Sequence, residues 1–132
     1  MSRCFKNTHK TETRVVYELS GHLPSRANMR VHWRARHRMA RAQRASASIA
    51  TRAAIGPGRP LYDWYPIRIT MTRISPRLLD DDNLTAAFKS IRDGIADALG
   101  LTDRDPRITW ECQQERGKLP YMRVDIQGKE AE

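Results

Sequence analysis

Three consecutive carboxylates, Asp80, Asp81 and Asp82, interrupt a chain that otherwise carries a large excess of positive charge. If the triplet is extended, alternate residues share a face, which brings the carboxylates of Asp80 and Asp82 together. Carboxylates that close repel each other unless a cation lies between them, and all-oxygen donors select a hard ion, Mg²⁺ with Mn²⁺ as a substitute. The structural use of such residues is N-capping and first-turn placement, where Asp meets the positive end of a helix dipole. Capping accounts for one aspartate; three in a row ask for more. A second acidic pair, Asp103 and Asp105, lies in a loop that ends at Pro106. Lys89 stands seven positions after Asp82 and four before Asp93, so on a continuous helix all three fall on nearly one stripe. Its side chain leans toward the helix N-terminus and could bring an ammonium to a phosphate held at the aspartates. The plainer use is an exposed Lys89 to Asp93 ion pair.

The charge is segregated. From Leu19 to Tyr62 there are nine Arg and no Asp or Glu, at Arg26, Arg30, Arg34, Arg36, Arg38, Arg41, Arg44, Arg52 and Arg59. The remaining residues carry fifteen bases and fifteen acids, so the whole formal charge of +9 lies in one third of the chain. Nucleic-acid phosphate is the usual partner of such a surface, and Arg can grip phosphate with two donors at once. A solvated helix face on an ordinary basic protein is the bland alternative. Membrane binding is disfavoured, because the segment lacks the large apolar residues an interfacial helix inserts.

These groups must be positioned by a scaffold that the hydrophobic pattern outlines. Arg14 to Ser20 is β-branched and aromatic, a first strand. Gly21 to Asn28 is a loop, and Met29 to Ile55, rich in Ala and Arg, is a helix ended by Gly56-Pro57-Gly58. Trp33, Ala40, Ala47 and Ala54 recur every seventh position, which predicts a seam lying on the sheet with the Arg face outward. Tyr65 to Ser75 alternates as a half-buried strand, Asn83 to Leu99 has helical spacing with Gly100 as its stop, and Arg107 to Gln113 and Tyr121 to Gln127 read as strands. The order β-α-β-α-β-β predicts a single α+β domain over residues 1–132, with a mixed sheet and two main helices packed on it.

The run Asp80-Asp81-Asp82-Asn83-Leu84, the later Lys89-x-x-x-Asp93 and an acidic turn before a strand resemble the RusA family of Holliday junction resolvases. The resemblance covers roughly Val15 to Ile126 and includes the early Leu23-Pro24-Ser25 and Asn28. It implies a small homodimeric, Mg²⁺-dependent endonuclease acting on branched DNA, of phage or prophage type. It also implies a catalytic set of Asp80, Asp82, Asp105 or Asp103, and Lys89, the carboxylates holding the metal. Asp105 is preferred because it directly precedes Pro106-Arg107-Ile108, as the family's third aspartate precedes a strand. The family's lysine falls four residues after the second aspartate, where this chain has Ala86; Lys89 with Asp93 keeps the internal spacing three residues on. A straight helix from Asn83 to Leu99 is about 25 Å long, which would leave Asp105 far from Asp82. Either that helix is shorter, or the chain folds back, or a carboxylate crosses a dimer interface.

Other classes are weaker fits. No run approaches the ~20 apolar residues of a membrane span, and Met1 to Thr13 is polar, unlike a secretory leader, so a cytoplasmic, DNA-associated protein is expected. Cys4 and Cys112 show no Cys-x-x-Cys spacing and predict reduced thiols rather than a disulfide scaffold or zinc ribbon. His9, His22, His32 and His37 show no metal-ligand spacing. Trp33, Tyr62 and Trp64 are read first as packing on the sheet and second as stacking groups for exposed bases, and Trp110 and Tyr121 as core. The rival function is a non-catalytic nucleic-acid-binding protein, such as a phage regulator, whose Asp cluster only caps a helix. An RNA-cleaving toxin is a third option with no need of clustered Asp.

Overall fold

The computed structural model describes residues 9–10, 14–20, 32–56 and 65–128. Among them five strands form one sheet: β1 (His9–Lys10), β2 (Arg14–Ser20), β3 (Ile67–Ser75), β4 (Ile108–Arg116) and β5 (Tyr121–Gln127). They stand in the order β1-β2-β5-β3-β4, with β3 and β4 parallel and the other pairs antiparallel. The sheet is therefore mixed and the domain α+β, as its sequence pattern predicts. Among the described residues three helices accompany it: α1 (Trp33–Ile55), α2 (Asp81–Ala87) and α3 (Lys89–Leu99). A parallel pair needs a crossover, and α2 and α3 supply it between β3 and β4.

Period-two alternation defines the buried face. Val15, Tyr17 and Leu19 of β2, Ile67, Ile69 and Met71 of β3, and Met122, Val124 and Ile126 of β5 all enter one core. The register aligns them: Ile69 stands opposite Ile126 and Trp110, and Met71 opposite Val124 and Cys112. The other face carries cross-strand ion pairs, Arg14 with Asp125 at 2.6 Å and Arg123 with Glu115 at 3.4 Å. This is the inward-apolar, outward-polar division of a sheet covered on one side.

Two expected helix features change. The helix foreseen over Asn83 to Leu99 is two helices that meet at Phe88, whose backbone stays right-handed but with ψ near zero (φ −83, ψ −4), and whose amide and carbonyl still bond to Leu84 and Arg92. Phe88 is fully buried, and the junction at this anchored side chain lets α2 touch β4 while α3 packs along α1. Second, α1 buries only Ala47, Ala50, Thr51, Ala54 and Ile55. It meets α3 far more than the sheet, reaching β2 where the Tyr17 and Thr51 hydroxyls share a hydrogen bond. Of the predicted sevenfold seam only Ala47 and Ala54 are buried, and Trp33 is 59% exposed rather than packed on the sheet.

Helix α1 begins at Trp33, with the His32 Nδ1 accepting from the Arg34 amide at 3.2 Å. Arg26, Arg30, Arg59, Tyr62, Trp64, His22, the Leu23 to Asn28 loop and the Met29 to Val31 start of the expected helix lie outside the described residues. Strand β4 runs three residues beyond its expected end, and β1 is too short to leave a sequence pattern. Among the described residues no helix is long and apolar enough to cross a membrane.

Candidate functional site

The acid triplet is placed by a polar clamp at the end of the crossover's first turn. The Gln114 side chain of β4 accepts from the Leu79 amide at 2.8 Å and donates to the Leu79 carbonyl at 2.6 Å, so the residue before Asp80 is paired as if by a strand. Asp80 is then the N-cap of α2 in an extended conformation (φ −64, ψ 155), and Asp81 and Asp82 occupy the first helical turn. The extended Asp80 to Asp82 arrangement is thus corrected: Asp81 and Asp82 diverge by about 100° around the axis. None of the three carboxylates caps the helix by a side-chain hydrogen bond in the manner of an N-cap oxygen, and all three residues are exposed. The positive helix end still favours them electrostatically.

Lys89 lies at the start of α3, past the junction, and is held between two carboxylates. Its Nζ donates to Asp93 Oδ1 at 2.9 Å and to Asp103 Oδ2 at 2.7 Å. Both hydrogen bonds favour the ammonium and raise the Lys89 pKa, while the same contact holds Asp103 below the usual carboxylate range. Asp103 is fastened through its backbone as well: its carbonyl accepts from Arg92 Nη2 at 3.0 Å and from Trp110 Nε1 at 2.9 Å. Arg92 in turn lies 4.9 Å from the Trp110 ring centroid, a cation–π contact. Sequence reasoning missed Arg92 and read Trp110 as core alone. The available signal was the alternation Trp110, Cys112, Gln114 on the helix-covered face of β4 and the position of Arg92 one turn beyond Lys89.

Asp105, the preferred third carboxylate, is committed to Arg107. It accepts from the Arg107 amide at 2.9 Å and from its guanidinium at 3.0 and 2.8 Å, which lowers its pKa to about 2. The strand ruler separates it from the triplet. Leu79 is held at Gln114, whereas Asp105 precedes Ile108 at the opposite end of β4, and six strand residues span ~20 Å. Among the described residues no group of three or more His, Cys, Asp or Glu stands close enough to hold a metal ion. The donor chemistry of Asp80 and Asp82 suits a hard divalent cation; the three-carboxylate set is not assembled within one chain.

The Asp103 clamp makes a pH prediction. A depressed carboxylate pKa stabilises the fold above the unfolded value near 3.8, and that contribution is lost as pH falls through the lower folded value. The raised Lys89 pKa acts at the other end, present below 10.5 and lost as pH rises through its folded value. Asp103→Asn should therefore lower Tm at pH 7 by a few degrees, about 1 kcal/mol for a partly exposed pair. Thermal melts repeated at pH 3 should show the two proteins converging; an unchanged gap would mean that the ion pair contributes nothing.

The basic segment is positioned by the same helix packing. Arg44 forms a two-pronged pair with Asp97 of α3, at 2.6 and 2.8 Å, and so serves the helix contact rather than a free cationic surface. Arg34, Arg36, Arg38 and Arg41 lie on the exposed first half of α1. No protein-family model matches the chain. Over 79 residues it is 40% identical to an "Uncharacterized protein" of Xylella fastidiosa (strain Temecula1 / ATCC 700964), covering 58% of this chain and 52% of that one. The chain thus spans about half the length of the relative it matches.

Proposed function

We propose that this protein is a Mg²⁺-dependent, structure-selective DNA endonuclease of the RusA type that resolves four-way junctions as a homodimer. One contrast carries the reading. Asp93, Asp97, Asp103, Asp105, Glu111, Glu115 and Asp125 each have a Lys or Arg partner. Asp80, Asp81 and Asp82 have no such partner among the described residues, in a chain of charge +9. Carboxylates left unneutralised in a cationic protein are disposed to take a cation from solution.

Asp80 and Asp82 would hold that ion, which when bound neutralises phosphate charge and acidifies a water. The exposed arginines of α1 would grip the sugar-phosphate backbone, giving steep salt dependence and little sequence preference. Lys89 would meet phosphate only by exchanging one of its two carboxylates. A two-fold dimer matches the approximate two-fold symmetry of a junction and offers a second chain from which a further carboxylate could come. A cytoplasmic, DNA-associated location belongs to the same reading.

The second reading is a non-catalytic nucleic-acid-binding protein, and the capture of Asp103 by Lys89 and of Asp105 by Arg107 favours it. Incubating the protein with a synthetic four-way junction, a plain duplex and RNA, in Mg²⁺ or EDTA, separates the two. Cutting of the junction alone, abolished by EDTA, is the expected result. Binding without cutting in Mg²⁺ or Mn²⁺ would replace the endonuclease by the regulator, and ion-independent cutting of RNA would displace both.

A further inference from the structure

We propose that the exposed first half of α1 carries a stacking site for an unpaired nucleotide, with the Trp33 indole as platform and Arg34, Arg38 and Arg41 holding the flanking phosphates. The inference rests on the nucleic-acid-binding part of the reading above and is independent of its cleavage step.

The geometry starts with how far α1 outruns its packing. Its first buried residue is Ala47, so from Trp33 onward ~20 Å of helix extends before the core is reached. Trp33, Arg34, His37, Arg38 and Arg41 line a solvent-open concavity of about 390 Å³ on that segment. Arg34, Arg38 and Arg41 turn away from the stripe that α1 buries, whereas Trp33 and His37 stand about five full turns before Thr51 and Ile55 and so carry that stripe out past the core. The indole is flanked by the His37 ring, edge-on at 5.7 Å, by the His32 ring at 5.6 Å and by the Arg34 guanidinium at 5.3 Å. These neighbours surround it without covering it, and 59% of Trp33 stays in solvent.

The charges around it are equally uncommitted. Arg38 and Arg41 make no ion pair with a described residue, in contrast to Arg44 one turn on, and the whole segment from Leu19 to Tyr62 holds no acid. An exposed indole among cations needs a ligand that offers both a π face and negative charge. A duplex hides its base faces in the stack and presents edges and phosphates, whereas a melted or single-stranded nucleotide presents both groups together. An anionic membrane would meet arginines and histidines where an inserting helix has apolar side chains.

The test compares the full chain with Trp33→Ala and Trp33→Phe. Each is titrated with a short labelled oligothymidylate and with a duplex carrying the same number of phosphates. Trp33→Ala should bind the single strand about 10-fold more weakly, equivalent to ~1.4 kcal/mol, with duplex affinity within about 2-fold of the unaltered protein. Trp33→Phe should recover most of the loss, and circular dichroism should be unchanged for this exposed position. Arg41→Ala should instead weaken both ligands and lower the salt slope by about 1. Equal loss on both ligands for Trp33→Ala, or no loss, would overturn the stacking site. If junctions are bound but never cut while the single-strand effect of Trp33→Ala is present, the site stands and the endonuclease falls. If junctions are cut and Trp33→Ala binds the single strand normally, the site falls and the endonuclease stands; absence of any nucleic-acid binding removes both.

Discussion

Asp82→Asn should reduce Mg²⁺-dependent junction cutting by at least ~10²-fold while leaving junction binding unchanged or tighter, the loss reflecting several kcal/mol of transition-state stabilisation. The two effects have opposite signs for one reason. On the proposed reading the carboxylate would hold a divalent ion, but without the ion it would be a negative charge facing phosphate, and the amide removes that charge at constant shape. Asp82 is exposed and makes no side-chain cap, so the variant loses only a few tenths of a kcal/mol of helix-end electrostatics and should fold normally. Single-turnover cutting and a gel-shift titration on the same junction separate the two effects. Normal cutting by Asp82→Asn would end the assignment of this triplet as the reactive site.

Gly94→Ala should destabilise the fold by about 3 kcal/mol, a fall in Tm of roughly 10 °C, although Gly to Ala inside a helix ordinarily gains about 1 kcal/mol. Gly94 of α3 packs directly against the α1 backbone. A Cβ there would sit 2.2 Å from the Arg44 carbonyl oxygen and 2.8 Å from the Ala47 Cβ. The nearest obstacle is backbone inside a helix, so no side chain can rotate away and the helices must separate. Separation would also pull Arg44 from Asp97, adding a second loss to the first. Thermal denaturation checks the sign directly, since a stabilised variant would mean that the two helices do not meet at this residue.

Both predictions use features with different visibility in the sequence. The glycine at position 94 lies mid-helix, where it reads only as a propensity cost; its value as an approach point exists once α1 lies across it. The triplet is visible in any reading, but its conformation is not, because Asp favours both an extended N-cap and a first helical turn. The anchor that decides the matter, Gln114, is 35 positions away in the chain.

The order of the four longer strands and of the helical stretches between them, the alternation that buries Ile69 and Met71, the glycine that ends α3 and the segregation of arginine into one third of the chain all follow from short-range pattern. Such patterns are local consequences of side-chain direction in strands and helices, so they survive without knowledge of the rest of the fold. Pairing does not. Whether Asp103 meets Lys89, whether Asp105 turns to Arg107 and whether Trp33 is covered depend on which surfaces the sheet order and the junction at Phe88 bring together. A helical wheel tells which face of α1 is apolar, and only the packed molecule decides that the core ends at Ala47 and leaves the arginines beyond it in water.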